Sequence, residues 1–158
     1  MRLNKKAYAG VSFAFASYLS FLIYKVFIKA YGNYYRVATD TPDYNLELFK
    51  SIERFTRAYN NYSFEVYFYN IYGNILAFIP AGLLLPMIFP KLKCWWNVLL
   101  GFLLSLAIEC GQYITRLGTF DVDDLMLNTI GVFMGVVIYQ ILVQIVHKNE
   151  SLKKKLLI

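Results

Sequence analysis

The sequence predicts an all-α integral membrane protein, a four-helix bundle with an extra amphipathic helix in its first extracellular loop. Three observations carry this expectation. Hydrophobic residues fill 58% of the 158 positions and charged residues 16%, with a mean hydropathy of +0.45, more apolar surface than a soluble domain of this size can hide. Four apolar stretches, residues 7–28, 71–89, 96–115 and 125–146, approach the roughly 20 residues that cross a hydrocarbon layer. Basic residues also gather in alternate connections, which sets an orientation. Arg2, Lys5 and Lys6, then Lys91 and Lys93, then Lys148, Lys153, Lys154 and Lys155 form the inside set, so both termini are expected in the cytoplasm. The net charge of +6 follows from this asymmetry, and no nucleic-acid partner is expected.

The first helix follows Lys5 and Lys6, and Ala14-Phe15-Ala16 faintly resembles a signal-peptide cleavage site. Cleavage there would leave too short an apolar run, so an uncleaved membrane helix is expected. Lys25 and Lys29 at its outer end can snorkel to the headgroups. In the extracellular loop, residues 29–69, five basic residues balance five acidic ones. Tyr31, Tyr34, Tyr35 and Arg36 lead into the turn signal Asp40-Thr41-Pro42-Asp43. From Asn45 onward Leu46, Phe49, Ile52, Phe55 and Tyr59 recur at helical spacing, which predicts an amphipathic helix on the outer leaflet or over the bundle.

Aromatic rings crowd Tyr62 to Tyr72 and suit the membrane interface at the mouth of the second helix; Trp95 and Trp96, beside Lys91 and Lys93, mark the opposite interface. Pro80 and Pro86 are expected to kink the second helix, and Pro90 to end it. In the fourth helix, Gly131 and Gly135 form Gly-x-x-x-Gly, which allows close helix approach within the bundle or in a homodimer. The basic tail from His147 is expected to touch anionic inner-leaflet lipid. Cys94 and Cys110 stand about 24 Å apart along one helix at 1.5 Å per residue, too far for a disulfide. His147 is the only histidine, which excludes a multi-His metal site.

Polar residues concentrate between the third and fourth helices. Glu109, Gln112 and Arg116 fall at i, i+3 and i+7, and Asp121, Asp124 and Asn128 repeat that spacing, so each set shares a helix face. Asn70 and Asn74 supply a third wall. The expected site is a concave, outward-opening cluster with Asn74, Glu109, Gln112, Arg116, Asp121, Asp123, Asp124 and Asn128 as ligand contacts. A structural account competes with it: Asp121 or Asp123 can cap the fourth helix, Arg116 can pair with an acid, and the amides can bond across helices. One arginine cannot neutralise four carboxylates, so the surplus acid implies a cation, a cationic ligand or a shared proton.

Oxygen ligands suit calcium or magnesium, the candidate cofactor, although the spacing is not that of an EF-hand. Glu109, Asp121 and Asp124 are the candidate catalytic residues, because paired carboxylates can act as general acid and base. No Ser or Cys nucleophile lies beside a plausible base, and phosphoryl transfer would need more positive charge than Arg116 offers.

Three pieces in order carry a resemblance: Asn74-Ile-Leu-Ala-Phe-Ile-Pro80-Ala-Gly82, then Glu109-x-x-Gln112, then Phe120-Asp121-Val-Asp-Asp124 with Asn128, Gly131 and Gly135. Over about Asn70 to Tyr139 the chain resembles the VanZ-like family of small bacterial membrane proteins, associated with reduced susceptibility to teicoplanin and related glycopeptide antibiotics. The four apolar stretches read as a single domain over residues 1–158, and the resemblance, which leaves out the first helix and the long loop, implies a protein of the bacterial plasma membrane that alters how glycopeptides act at the cell surface. It supplies no reaction. The first expectation is a membrane factor whose acidic site binds a lipid-linked cell-wall component or the antibiotic; the second is an enzyme using paired carboxylates on a lipid-linked wall substrate.

Overall fold

A computed structural model describes residues 3–28, 37–58 and 64–149. Lys29, the Tyr31–Arg36 segment, the front of the aromatic belt and the basic tail beyond Asn149 lie outside the described residues. Helix α1 (Lys5–Ile23) starts where the Asn4 side chain accepts a hydrogen bond from the Ala7 N–H at 2.9 Å, satisfying one of the free amides of the first turn. It continues as a π-helical turn, Tyr24–Ile28. There follow strand β1 (Asp43–Asn45), helix α2 (Lys50–Ala58), helix α3 (Phe64–Ile88), helix α4 (Cys94–Thr115), strand β2 (Thr119–Asp121) and helix α5 (Val122–Lys148).

Among the described residues, four helices are long and apolar enough to cross a membrane: Lys5–Ile28, Phe68–Ile88, Cys94–Thr115 and Val122–Lys148. Their outward faces keep Phe13, Leu76, Leu103, Phe133 and Ile141 exposed, the pattern expected where lipid rather than water is the solvent. Helix α3 runs unbroken through Pro80 and Pro86 and stops at Ile88, just before Pro90. Each internal proline removes one donor, but in an apolar layer any other backbone arrangement would leave more groups unbonded.

Helices α3 and α5 make the most intimate contact, and glycine makes it possible. A Cβ on Gly82 would lie 1.9 Å from the Val132 carbonyl oxygen; on Gly131, 2.2 Å from that of Ile75; on Gly135, 2.2 Å from that of Ile79. The Gly-x-x-x-Gly spacing of α5 thus serves contact within the chain. Val132, itself fully buried, fills the space beside Gly101 of α4. Around it gather Leu22, Phe78, Ala81, Leu85, Ile108 and Val136. The Tyr18 hydroxyl of α1 donates to the Ala77 carbonyl of α3 at 2.9 Å.

One end of the bundle carries the α3–α4 turn, with Lys91, Lys93 and the stacked rings of Trp95 and Trp96, 3.8 Å between centroids. The other end carries the acids. There Arg116 adopts a left-handed conformation, φ 58°, that closes α4 and turns the chain into β2. Strands β1 and β2 pair in parallel, with Asp43 opposite Thr119, Tyr44 opposite Phe120 and Asn45 opposite Asp121.

The helical periodicity expected from Asn45 therefore resolves differently. Its first residues form β1 and a turn in which Phe49 has φ 68°, and the helix starts only at Lys50. Ladder bonds to β2, which no local pattern reveals, outcompete the helix there. On α2, Ser51 is buried, Ile52 and Phe55 are half-buried, and Glu53, Arg54 and Arg57 are exposed, with Arg57 paired to Glu53.

Candidate functional site

Strand β2 delivers Asp121 to the start of α5, where its extended backbone makes it the N-cap, with Oδ1 accepting from the Asp123 N–H at 2.9 Å. The same carboxylate accepts from the Asn45 amide at 3.0 Å and from the Ser51 hydroxyl. The Asp121 N–H in turn donates to Oε2 of Glu109 at 3.0 Å. Glu109, 2% exposed in the membrane helix α4, thus holds β2 against the bundle.

Asp123 is fully buried and points the other way, toward α2. Its carboxylate accepts from the backbone N–H groups of Phe49, Ser51 (2.8 Å) and Ile52 (3.2 Å). It caps a helix more than 70 residues distant in sequence, satisfying donors that would otherwise be orphaned. Asp124 accepts from the Asn74 amide of α3 at 2.6 Å. One turn deeper, the Asn128 amide donates to the Ser105 hydroxyl at 2.9 Å, while Asn128 Oδ1 has no partner among the described residues.

This arrangement supplies a physical account of the crowded acids. Asp121 caps α5, Asp123 and Asp124 occupy its first turn, and Asp123 also faces the start of α2, so two positive helix ends act on them. Backbone N–H groups, the amides of Asn45 and Asn74 and the Ser51 hydroxyl solvate these carboxylates. Among the described residues, no group of three or more His, Cys, Asp or Glu side chains could hold a metal ion. Arg116 stands apart from the acids: its guanidinium donates to the Asp40 carbonyl at 3.0 Å, and its own carbonyl accepts from the Thr39 N–H at 2.9 Å. It ties the segment before β1 to the end of α4.

Between the β1–β2 ribbon, α2 and the helix ends lies a polar recess of about 390 Å³. Its lining is Asp43, Tyr44, Asn45, Lys50, Ser51, Arg54, Phe55, Asn70, Gln112, Thr119, Asp121 and Asp124. Of the residues expected from sequence, Gln112, Asp121 and Asp124 reach this space, as does Asn70 of the expected third wall. Asn74, Glu109, Asp123 and Asn128 stand behind it and brace the elements that form it. Sequence reasoning did not single out Asn45, Ser51, Lys50, Arg54 or Ser105. Ser51 just inside a charged, periodic stretch is a helix-start signal, but its partner Asp121 is visible only in three dimensions. A second recess of about 530 Å³, lined by Tyr44, Leu46, Cys110, Tyr113, Ile114 and Phe120, adjoins the first at Tyr44.

Four membrane-length helices with a polar recess built at one end define a small multi-pass membrane protein. The profile of the VanZ/LLP1 family matches residues 15–143, and the chain belongs to that family. It is 35% identical over 72 residues to Protein VanZ of Enterococcus faecium, an alignment covering 46% of this chain and 45% of that protein. The match thus spans about half the length of the curated relative. No solved structure matches the chain.

Proposed function

We propose that this is a bacterial plasma-membrane protein that lowers susceptibility to glycopeptide antibiotics of the teicoplanin type. In this reading both termini are cytoplasmic, and the polar recess opens outward to bind a lipid-linked cell-wall component or the antibiotic itself. Family membership and the similarity to Protein VanZ support the role. The distribution of lysine and arginine supports the orientation.

The observation that carries the reading is the recess itself. Four separate parts of the chain converge to wall it, and buried Asp123 and Glu109, with half-buried Asn74, hold those parts in place. Building and bracing a polar space at the edge of a bilayer is costly unless something enters it. The geometry favours binding over acid–base catalysis. Glu109 does not line the space, and both oxygens of Asp121 already accept hydrogen bonds.

Asp124→Asn provides the test, because it keeps the shape and an oxygen for the Asn74 amide while deleting one negative charge. Resistance is expected to fall at unchanged membrane abundance; unchanged susceptibility would sink the reading. Orientation is tested separately with Leu48→Cys, an exposed position in the turn before α2, in a chain otherwise free of cysteine. A membrane-impermeant maleimide added to intact cells is expected to label it. Protection from the reagent would place the recess in the cytoplasm.

A further inference from the structure

The two recesses at the acidic end are the two sides of one partition. Along the β1–β2 ribbon, side chains alternate between faces: Asp43, Asn45, Thr119 and Asp121 line the polar space, whereas Phe120 lines the apolar one and Tyr44 borders both. Helix α4 continues the division, with Gln112 on the polar side and Cys110, Tyr113 and Ile114 on the other. The Tyr44 and Tyr113 rings meet edge-on, centroids 6.4 Å apart, and form a wall of the apolar groove. Cys110 to Ile114 lie within about 8 Å of the end of α4 at 1.5 Å per residue, the level at which hydrocarbon gives way to headgroups.

The polar side is not uniformly acidic. Lys50 and Arg54, one helical turn apart on α2, face Asp121 and Asp124 across the same space. Lys50 pairs with Glu47 at 2.6 Å, whereas Arg54 forms no salt bridge among the described residues. A charged guanidinium at the rim of a recess suits a phosphate or carboxylate.

We infer that the two recesses form one site for an anionic amphipath, with its head in the polar recess beside Arg54 and its hydrocarbon chain in the groove over Tyr44, Cys110 and Ile114. Each space falls within the roughly 300–1,000 Å³ of ordinary ligand sites, and they join where head and chain of such a molecule would join. The inference rests on the proposed ligand-binding role of the polar recess and adds the chemistry of the ligand. A lipid-linked wall precursor and an acylated glycopeptide both offer an anionic head and a chain.

Exposed Cys110 is a natural reporter inside the groove. The full chain carrying Cys94→Ser, held in phosphatidylcholine nanodiscs, is reacted with N-ethylmaleimide alone and with each of four probes: a long-chain polyprenyl phosphate, the same polyprenol without phosphate, an acylated glycopeptide and its deacylated form. A true ligand is expected to slow Cys110 labelling roughly tenfold at ten times its Kd. Arg54→Gln is expected to remove that protection. Protection by polyprenyl phosphate but not the alcohol identifies the lipid-linked source, and protection by the acylated but not the deacylated glycopeptide identifies the antibiotic.

Equal protection by polyprenol and its phosphate, protection indifferent to Arg54→Gln, or no protection by either amphipath overturns the inference. If Cys110 stays unprotected while Asp124→Asn still abolishes resistance, the polar recess keeps its role and only the joined site falls. If Asp124→Asn leaves susceptibility unchanged, the functional reading itself falls, and the joined site with it.

Discussion

Gly82→Ala is expected to destabilise the bundle by about 3 kcal/mol or more, at or above the usual range for overpacking. The added carbon would sit 1.9 Å from the Val132 carbonyl oxygen and within 3 Å of two further Val132 backbone atoms. A side chain could swing aside, but a helix backbone cannot. Helices α3 and α5 would have to separate, and with them the packing that substitutes for hydrophobic driving force in lipid. Gly10→Ala is the matched control, because nothing lies within 4 Å of its added carbon and alanine is the better helix former. Thermal stability in detergent, followed by size-exclusion chromatography, separates the two. Equal melting of both variants would mean that the α3–α5 contact is looser than described.

The second large effect is expected at Asp123 and should be local. Asp123→Ala deprives the N–H groups of Phe49, Ser51 and Ile52 of their acceptor, a loss of about 3 kcal/mol for buried donors. Helix α2 can escape that penalty by leaving its seat for water, so the membrane helices should stay intact while α2 frays. Amide exchange at these three residues is then expected to accelerate by roughly two orders of magnitude. Asp123→Asn should rescue it only in part, since in either orientation its NH₂ group faces at least one of the three donors. Unchanged exchange in Asp123→Ala would show that α2 is held by other means.

These two sites mark what could and could not be read from the sequence. The membrane helices were legible because twenty-odd apolar residues in a row have one physical explanation; the boundaries moved only at the ends, with α3 starting at Phe64 rather than near 71 and α5 at Val122 rather than near 125. The spacing of Gly131 and Gly135 announced close packing, yet not its partner, because Gly82 stands in no Gly-x-x-x-Gly spacing of its own. Asp121 could be foreseen as a cap for α5, since the donor it serves is two residues away. Asp123 could not be foreseen as the cap of α2, because periodicity and propensity report on neighbours in the chain alone. For the same reason the donors that solvate these acids, which lie in a loop far upstream, could not be read beside them. Arg116 reads as the natural counter-charge by proximity in sequence, but a left-handed turn carries its side chain to Asp40 instead.

The parallel pairing of residues 43–45 with 119–121 also dictates an order of assembly. A ribosome releases the first of these segments long before the second, with two membrane crossings in between, so the ribbon must wait for the later hairpin to insert. Until then Asn45, Ser51 and the start of α2 lack the carboxylates of Asp121 and Asp123, and the chamber they help to enclose does not exist. During biogenesis the polar recess is therefore the last feature to form, and a truncated product ending before residue 119 should enter the bilayer without it.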